Sequence, residues 1–489
     1  MTYAEELFSG KSVSLLGAGV SNMPLAAMAA PYAARLTVRD RKSPAELGEN
    51  AEILKTLGAV LITGEEYLSG IDEDLVFRSP GIRPDLPELN EARARGSRVV
   101  SEMELFLASC RCPVYAVTGS DGKTTTTTIT SLLLDSPLLK GKVFLGGNIG
   151  EPLLHRIEKI GEGDVCAVEL SSFQLMTVEA PAKVEAAAIT NLSPNHLNWH
   201  TSMEEYVAAK AKLLPLCRRA VLNYDNPITR ELAKTALPMG TPVTWFSLSP
   251  LPDGVLREGD SAVWLEPEDP LDPEDRGSGG RICAFFPEEG KREIVRRSEI
   301  KLPGLHNVAN YMTAIGLTRG ATTDERIREV CRTFGGVEHR LEFVREKDGV
   351  TYINGSIDSS PTRTAAALSA LGKNRPVVLI AGGYDKHIPY GPLADAIFSD
   401  ETDVRALVLT GDTARAIREA VESHPAWPAA RESGFLLTGD GDFDAAVKKA
   451  AALARPGDTV LLSPASASFD HFKNFEERGK HFKELVKGL

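Results

Sequence analysis

Short apolar runs separated by amphipathic, often alanine-rich stretches set the pattern of this chain. SVSLLGAG opens the series at Ser12; a helical stretch near Met23–Leu36 follows, then LTVRD and later LVFRSPGI. Continuous apolar runs alternating with helices predict strands buried on both faces of a parallel α/β sheet. The pattern starts again at CPVYAVTGSDGKT, where the run Val114–Val117 enters a glycine-containing turn and then a threonine-rich helix, so a new domain is expected near Arg111. DVCAVEL, EAAAITNLS and RAVLNYD read as further strands. Each ends in polar residues, where α/β proteins place their ligands. Between Pro250 and Gly280 the chain is rich in proline, glycine and acids, and only AVWLE and ICAFF look like strands, which predicts an exposed hairpin with a flexible tip. From about Gly336 a third series appears in VTYING, PVVLIAGG, VRALVLTG and DTVLLSP, separated by helices such as Asp412–Ser423. The expected architecture is α/β in three domains, 1–111, 112–335 and 336–489.

Composition narrows the setting. A chain of 489 residues is too long for one ordinary core. No apolar run is long enough to cross a bilayer, and MTYAEELFSGKS lacks the basic-then-apolar order of a secretion signal, so a cytoplasmic protein without a membrane span is expected. Six cysteines, with Cys110 and Cys112 as an isolated C-x-C, form no regular framework, which favours reduced thiols. A formal charge of −12 argues against broad contact with nucleic acid. Phosphate binding therefore has to be local.

AVTGSDGKTTTTT supplies such a locality. A strand delivers Gly119, Ser120, Asp121, Gly122 and Lys123 into a helix N-terminus, where backbone N–H groups wrap a phosphate. Lys123 adds positive charge, and Thr124 or Thr125 offers a hydroxyl to Mg²⁺. Only Ser120 and Asp121 separate the two glycines, fewer than in the common phosphate-loop motif. A second glycine loop, GAGVSN, follows the first strand with Asp40 at the end of the next; alone it is weak support for a dinucleotide oxidoreductase.

The shorter phosphate loop resembles that of Mur ligases and folylpolyglutamate synthases. The resemblance to the Mur ligase family continues in order through GGNIG, ELSSFQL, NLSPNHLNWH, EYVAAK, LPGLHNVANY, GGVEHRLEF, AGGYDKH and LLSPASASFDHFKNFEERG. It implies a Rossmann-like N-terminal domain, a central P-loop ATPase-like domain and a Rossmann-like C-terminal domain. It also implies an ATP- and Mg²⁺-dependent ligase that joins D-glutamate to UDP-N-acetylmuramoyl-L-alanine through an acyl phosphate; a monomer is expected. On this resemblance Lys123 neutralises phosphate charge, Glu169 and His196 hold a second Mg²⁺, and Lys210 matches a lysine that is carbamylated beside the metal. Asn148, Asn307, Asn310 and Arg340 resemble nucleotide contacts, Arg340 also meeting phosphate charge.

The first domain would hold the uridine diphosphate portion through Gly17, Ala18, Gly19 and Val20, the Asp40–Arg41 region, and the loop Ser79, Pro80 and Gly81, with Ser171 from the central domain. For D-glutamate the candidates are Lys386, Ser468 and the backbone near Phe475, with Ser359 weaker. Two positions depart from the family pattern: an aspartate is expected at Gly355 in NGSIDSSPTRT and at Asn198 in NHLNWH. Asp358, three residues beyond Gly355, is the candidate to supply the missing carboxylate. Another amino-acid ligase of the same type, or an impaired nucleotide-binding member, are the competing readings.

Overall fold

The computed structural model describes residues 2–179, 182–196, 199–268, 279–302, 304–373, 375–385 and 388–489. The chain forms two compact units, Met1–Phe334 and Gly335–Leu489.

The first unit contains two sheets, so residue 111 lies within it. The five-stranded sheet runs in the order Val60–Thr63, Arg35–Asp40, Ser12–Leu16, Leu75–Arg78, Arg98–Val100, with every pair parallel. Its strand order reverses between Ser12–Leu16 and Leu75–Arg78. Such a reversal opens a crevice at the carboxyl ends of the strands, because the two flanking connections leave in opposite directions. The helix expected over Met23–Leu36 spans only Asn22–Ala29. Pro31 has no N–H to continue the ladder, and Leu36–Arg39 are buried as strand instead.

The nine-stranded sheet follows the order Gly290–Arg296, Arg281–Phe286, Ser261–Glu266, Val243–Ser247, Cys217–Asn223, Val184–Ile189, Val114–Thr118, Val165–Glu169, Val143–Gly147. It is parallel except where Arg281–Phe286 pairs antiparallel with both neighbours. The expected hairpin is therefore Ser261–Glu266 against Arg281–Phe286; residues 269–278 at its tip lie outside the described residues. Val114–Thr118 lies between Val165–Glu169 and Val184–Ile189, all three almost wholly buried. That puts the ends of three neighbouring strands, at Gly119, Leu170 and Thr190, side by side. The helix Lys123–Leu134 covers this region together with Leu305–Leu317, joined by the apolar cluster of Ile129, Leu133, Val308, Tyr311 and Met312.

The second unit holds a six-stranded sheet in the order Glu342–Lys347, Val350–Asn354, Thr459–Leu462, Val377–Gly382, Val404–Thr410, Leu436–Gly441. Only the edge strand Glu342–Lys347 is antiparallel. The C-terminal helix Phe475–Gly488 buries Phe482 and Val486 in a cluster that includes Val460, Leu462 and Ile380. Among the described residues no helix is long and apolar enough to cross a membrane.

Candidate active site

The phosphate loop is shaped by its neighbours as much as by its own glycines. Gly119 has φ +145°, and a Cβ there would lie 1.9 Å from Thr190 Oγ1; Gly122 has φ +75°, and a Cβ there would lie 2.3 Å from Asn310 Oδ1. Both positions exclude a side chain by space as well as by backbone conformation. The peptide between them is pinned: Thr190 Oγ1 donates to Asp121 O (2.6 Å), Asn191 Oδ1 accepts from Asp121 N (2.9 Å), and Ser120 Oγ lies 2.9 Å from the Tyr206 hydroxyl. Lys123 Nζ donates to Ser120 O at 2.8 Å. Asn310 accepts from Thr126 and donates to Asn307, so these two candidates brace the start of the loop helix. Asn307 does not cap its helix; Gly304 occupies that position.

Glu169 ends the strand beside the loop and is 1% exposed. Its Oε1 accepts from Asn148 Nδ2 at 2.7 Å, whereas Oε2 is buried with no hydrogen-bond partner. Asn148 thus orients Glu169. A buried carboxylate oxygen without a donor is costly unless a cation or ligand completes it. His196 has φ 55°, an uncommon conformation for a residue with a side chain, and its ring lies 5.0 Å from that of Phe173. Burial, then the charges of Lys123 and Lys210, lower its pKa and keep the imidazole neutral, the form that ligates metal. Lys210, on the helix Met203–Ala211, is buried and donates to Gly119 O at 2.8 Å. Burial and Lys123 push its pKa well below the ordinary lysine value, against the opposing pull of Glu169 and Asp121. The structure therefore gathers Lys123, Glu169, His196 and Lys210 around one loop.

The second glycine loop lies at the strand-order reversal of the five-stranded sheet. Gly17 has φ +94°, and Asn22 Nδ2 donates to Leu16 O, Gly17 O and Ser79 Oγ, tying this loop to the one that begins at Ser79. Asp40 accepts from Ala18 N at 2.8 Å and from Lys42 N at 2.9 Å, so its carboxylate shapes the loop. Val20 is 76% exposed, and Arg41 pairs with Glu65 at the surface. Ser171 caps the helix Ser172–Leu175 in a reciprocal pair with Gln174. The loop that begins at Ser79 is joined to the segments around Phe173 and Trp199, which follow strands of the nine-stranded sheet. Arg78, 1% exposed, donates to Ser79 O, Pro80 O and Phe173 O, while Trp199 Nε1 donates to Gly81 O at 2.9 Å.

Sequence comparisons cover almost the whole chain. The model of the Mur ligase middle domain matches residues 117–318, and that of the Mur ligase glutamate ligase domain matches 339–466. A UDP-N-acetylmuramoylalanine–D-glutamate ligase of Clostridium novyi is 42% identical over 99% of this chain and 98% of its own. The chain belongs to the Mur ligase family. An enzyme of the same name from Ruminiclostridium cellulolyticum is also 42% identical, over 98% of this chain and 97% of its own. Among solved structures, a UDP-N-acetylmuramoyl-L-alanyl-D-glutamate–2,6-diaminopimelate ligase aligns with TM-score 0.52 at 18% identity over 84% of this chain and 92% of that one, a likeness of fold.

The other Mur ligase candidates lie in the second unit. Arg340 is exposed between His339 and Leu341, which both have positive φ (63° and 43°), so the turn that presents it is a strained one. Ser468 is buried at the start of a turn, and Phe475 begins the C-terminal helix with its carbonyl accepting from Ser356 Oγ. Ser359 Oγ donates to Ile357 O. Lys386 and Asn198 lie outside the described residues. At Gly355, where the resemblance leads to an aspartate being expected, the space beside the backbone is already taken. A Cβ there would lie 2.7 Å from Asp358 Oδ2 and 2.7 Å from Leu462 O, so the Asp358 carboxyl group fills the space beside residue 355.

Residues beyond the site candidates hold the motifs in place. Thr190, Asn191 and Tyr206 fasten the phosphate loop. His200 lies 2.9 Å from Ser172 Oγ, with its ring against Phe173, Trp199 and Tyr206. Arg478, 2% exposed, donates to Ser356, Ser466 and Ala467 and joins the turns after two adjacent strands. Their signal was present in EAAAITNLS, NLSPNHLNWH, EYVAAK and NFEERG, but tertiary contacts alone show which member of each motif does the joining.

Proposed function

We propose that this chain is an ATP-dependent ligase that joins D-glutamate to UDP-N-acetylmuramoyl-L-alanine in the cytoplasm, for peptidoglycan synthesis. One observation carries the ligase chemistry: a phosphate loop with Lys123 lies against a buried carboxylate, Glu169, that has one oxygen fixed and the other unpartnered. The choice of substrates rests on the end-to-end match to D-glutamate ligases.

In this reading the loop amides from Gly119 to Lys123 hold the ATP phosphates at the helix N-terminus. The acceptor carboxylate attacks the γ-phosphorus, ADP leaves, and the amino group of D-glutamate then opens the acyl phosphate, losing a proton as inorganic phosphate departs. Lys123 offsets the charge that moves between these oxygens. Glu169 and neutral His196 are donors that suit one hard divalent cation, with the unpartnered Glu169 Oε2 the atom it would satisfy, and the Thr124 or Thr125 hydroxyl is the candidate donor to another. Mg²⁺ bound there would polarise the phosphoryl oxygens. The lowered pKa of Lys210 favours a neutral amine that takes up CO₂, which would place a carbamate near these ligands. Asn148 orients Glu169, and Asn307 and Asn310 support the nucleotide end. Gly17–Val20, Asp40, Arg41 and Ser79–Gly81 would bind the uridine diphosphate, with Ser171 holding the turn beyond Glu169. Lys386, Ser468, Ser359 and the Phe475 backbone are the D-glutamate candidates, and Arg340 a phosphate contact.

Phosphate release from ATP, Mg²⁺ and UDP-N-acetylmuramoyl-L-alanine should require D-glutamate and should not be supported by L-glutamate or L-alanine. Release with another amino acid would reassign the acceptor. Nucleotide binding with no release under any condition would instead make the chain a binding member of its family.

A further inference from the structure

At the opposite end of the catalytic strands, three cysteines converge that the ligase chemistry does not use. Cys110 ends the helix Glu102–Ser109, Cys112 immediately precedes the strand Val114–Thr118, and Cys166 is the second residue of Val165–Glu169. The register that pairs Val114 with Cys166 brings the C-x-C segment over that thiol. Cys112 Sγ lies 3.5 Å from Cys110 Sγ and 3.5 Å from Cys166 Sγ, and all three sulfurs lie within 4.8 Å of one another. Cys112 and Cys166 are buried, whereas Cys110 is half-buried and gives a way in from solvent. The remaining cysteines, Cys217, Cys283 and Cys331, join no such group among the described residues.

Three thiolates at about 2.3 Å from one ion are spaced about 3.8 Å apart in a tetrahedral arrangement. Two of the sulfur separations, 3.5 Å each, are close to that spacing, and the third lies within 4.8 Å. A disulfide would consume only two of these sulfurs, would leave the third thiol beside it, and would need an oxidant. A thiophilic cation engages all three and needs only that the thiols give up their protons to solvent.

We propose that Cys110, Cys112 and Cys166 form a binding site for a thiophilic d¹⁰ cation, filled by Zn²⁺ with solvent as the fourth ligand on the Cys110 side. The ion would fasten the segment after the helix Glu102–Ser109 to the strand that ends in Glu169. This site is separate from the Mg²⁺ donors Glu169 and His196, which offer oxygen and nitrogen. It does not rest on the substrate assignment.

The test uses the reduced, chelator-treated full chain with excess Mg²⁺, titrated with Cd²⁺ alone. The expected result is a thiolate-to-cadmium charge-transfer absorption that saturates at one ion per chain, releases protons, and is competed away by Zn²⁺. Cys110→Ser and Cys166→Ser should each abolish the saturating band, and Cys331→Ser should retain it. Cys110→Ser is the decisive variant because its half-buried position tolerates a hydroxyl, and circular dichroism would verify its fold. No band in the folded wild-type protein, or a band unchanged in Cys110→Ser, would overturn the proposal. So would a loss of two hydrogens by mass in the untreated protein together with no metal uptake after reduction, which would assign the cluster to a disulfide.

Discussion

Lys210 concentrates the energetic tension of the site in one side chain. Its amine is buried next to Gly119 O and Thr118 Oγ1, and burial, with Lys123, lowers its pKa well below the ordinary lysine value. Between the lowered and the ordinary pKa the unfolded chain holds a proton that the folded chain releases, so stability falls as pH drops through that window. A Lys210→Met variant should lack this slope, and denaturant midpoints of the two proteins measured from about pH 10 downward would reveal it; parallel curves would refute the burial account. The variant should also lose turnover by roughly 100-fold or more if an anionic form of Lys210 supports the metal, with short carboxylates restoring part of it. Asp358 shows the opposite sign. Burial raises its pKa to about 6, against a hydrogen bond from Ser463 and the charges of Arg340 and Arg363. The folded state keeps the proton longer than the unfolded state, so stability declines as pH rises from about 4 to about 6. The accumulated penalty is ~3 kcal/mol. Asp358→Asn should flatten that decline, and thermal melts between pH 4 and pH 7 would measure the difference.

At the scale of the element, the turn from Val114–Thr118 into Lys123–Leu134 depends on the neighbouring strand end. Thr190 fills the space beside Gly119 and holds Asp121 O. Gly119→Ala should therefore displace Thr190, cost about 1–3 kcal/mol, and raise the KM for ATP; an unchanged KM with lowered stability would separate packing from phosphate binding. The turn after Val350–Asn354 obeys the same logic. Gly355→Asp would drive a Cβ against the Leu462 carbonyl, so it should lower the melting temperature and fail to raise activity. Higher activity in that variant would show that the turn can rearrange to accept the side chain.

At the scale of the molecule, both nucleotide-type loops lie in the unit Met1–Phe334, while the D-glutamate candidates lie in Gly335–Leu489. Calorimetry should resolve the two units as separate transitions, and ATP with Mg²⁺ should raise the one that belongs to the first unit. A nucleotide at a hundred times its Kd would add about 2.7 kcal/mol to that unit. An equal shift of both transitions would mean that they unfold as one.

The sequence by itself determined the interior strands other than Val243–Ser247, the glycine loop Gly119–Lys123 and the family. Strands buried on both faces need unbroken apolar runs, and the loop needs glycine at defined places, so both leave marks readable without coordinates. The strands Val60–Thr63, Arg98–Val100, Val143–Gly147, Gly290–Arg296, Glu342–Lys347 and Leu436–Gly441 were not distinguished in this way. All are sheet edges, where one side lacks a neighbour; Val243–Ser247 was missed although it is interior and wholly buried, because its five-residue run stands among proline, glycine and threonine with no helical stretch to frame it. The tertiary structure alone decided that Asn148 orients Glu169, that Tyr206 and Thr190 fasten the phosphate loop, that Asp358 occupies the space beside Gly355, and that Cys166 meets Cys110 and Cys112. Each of these depends on strand order and register, which bring together residues distant in the chain, and no local pattern encodes such a meeting.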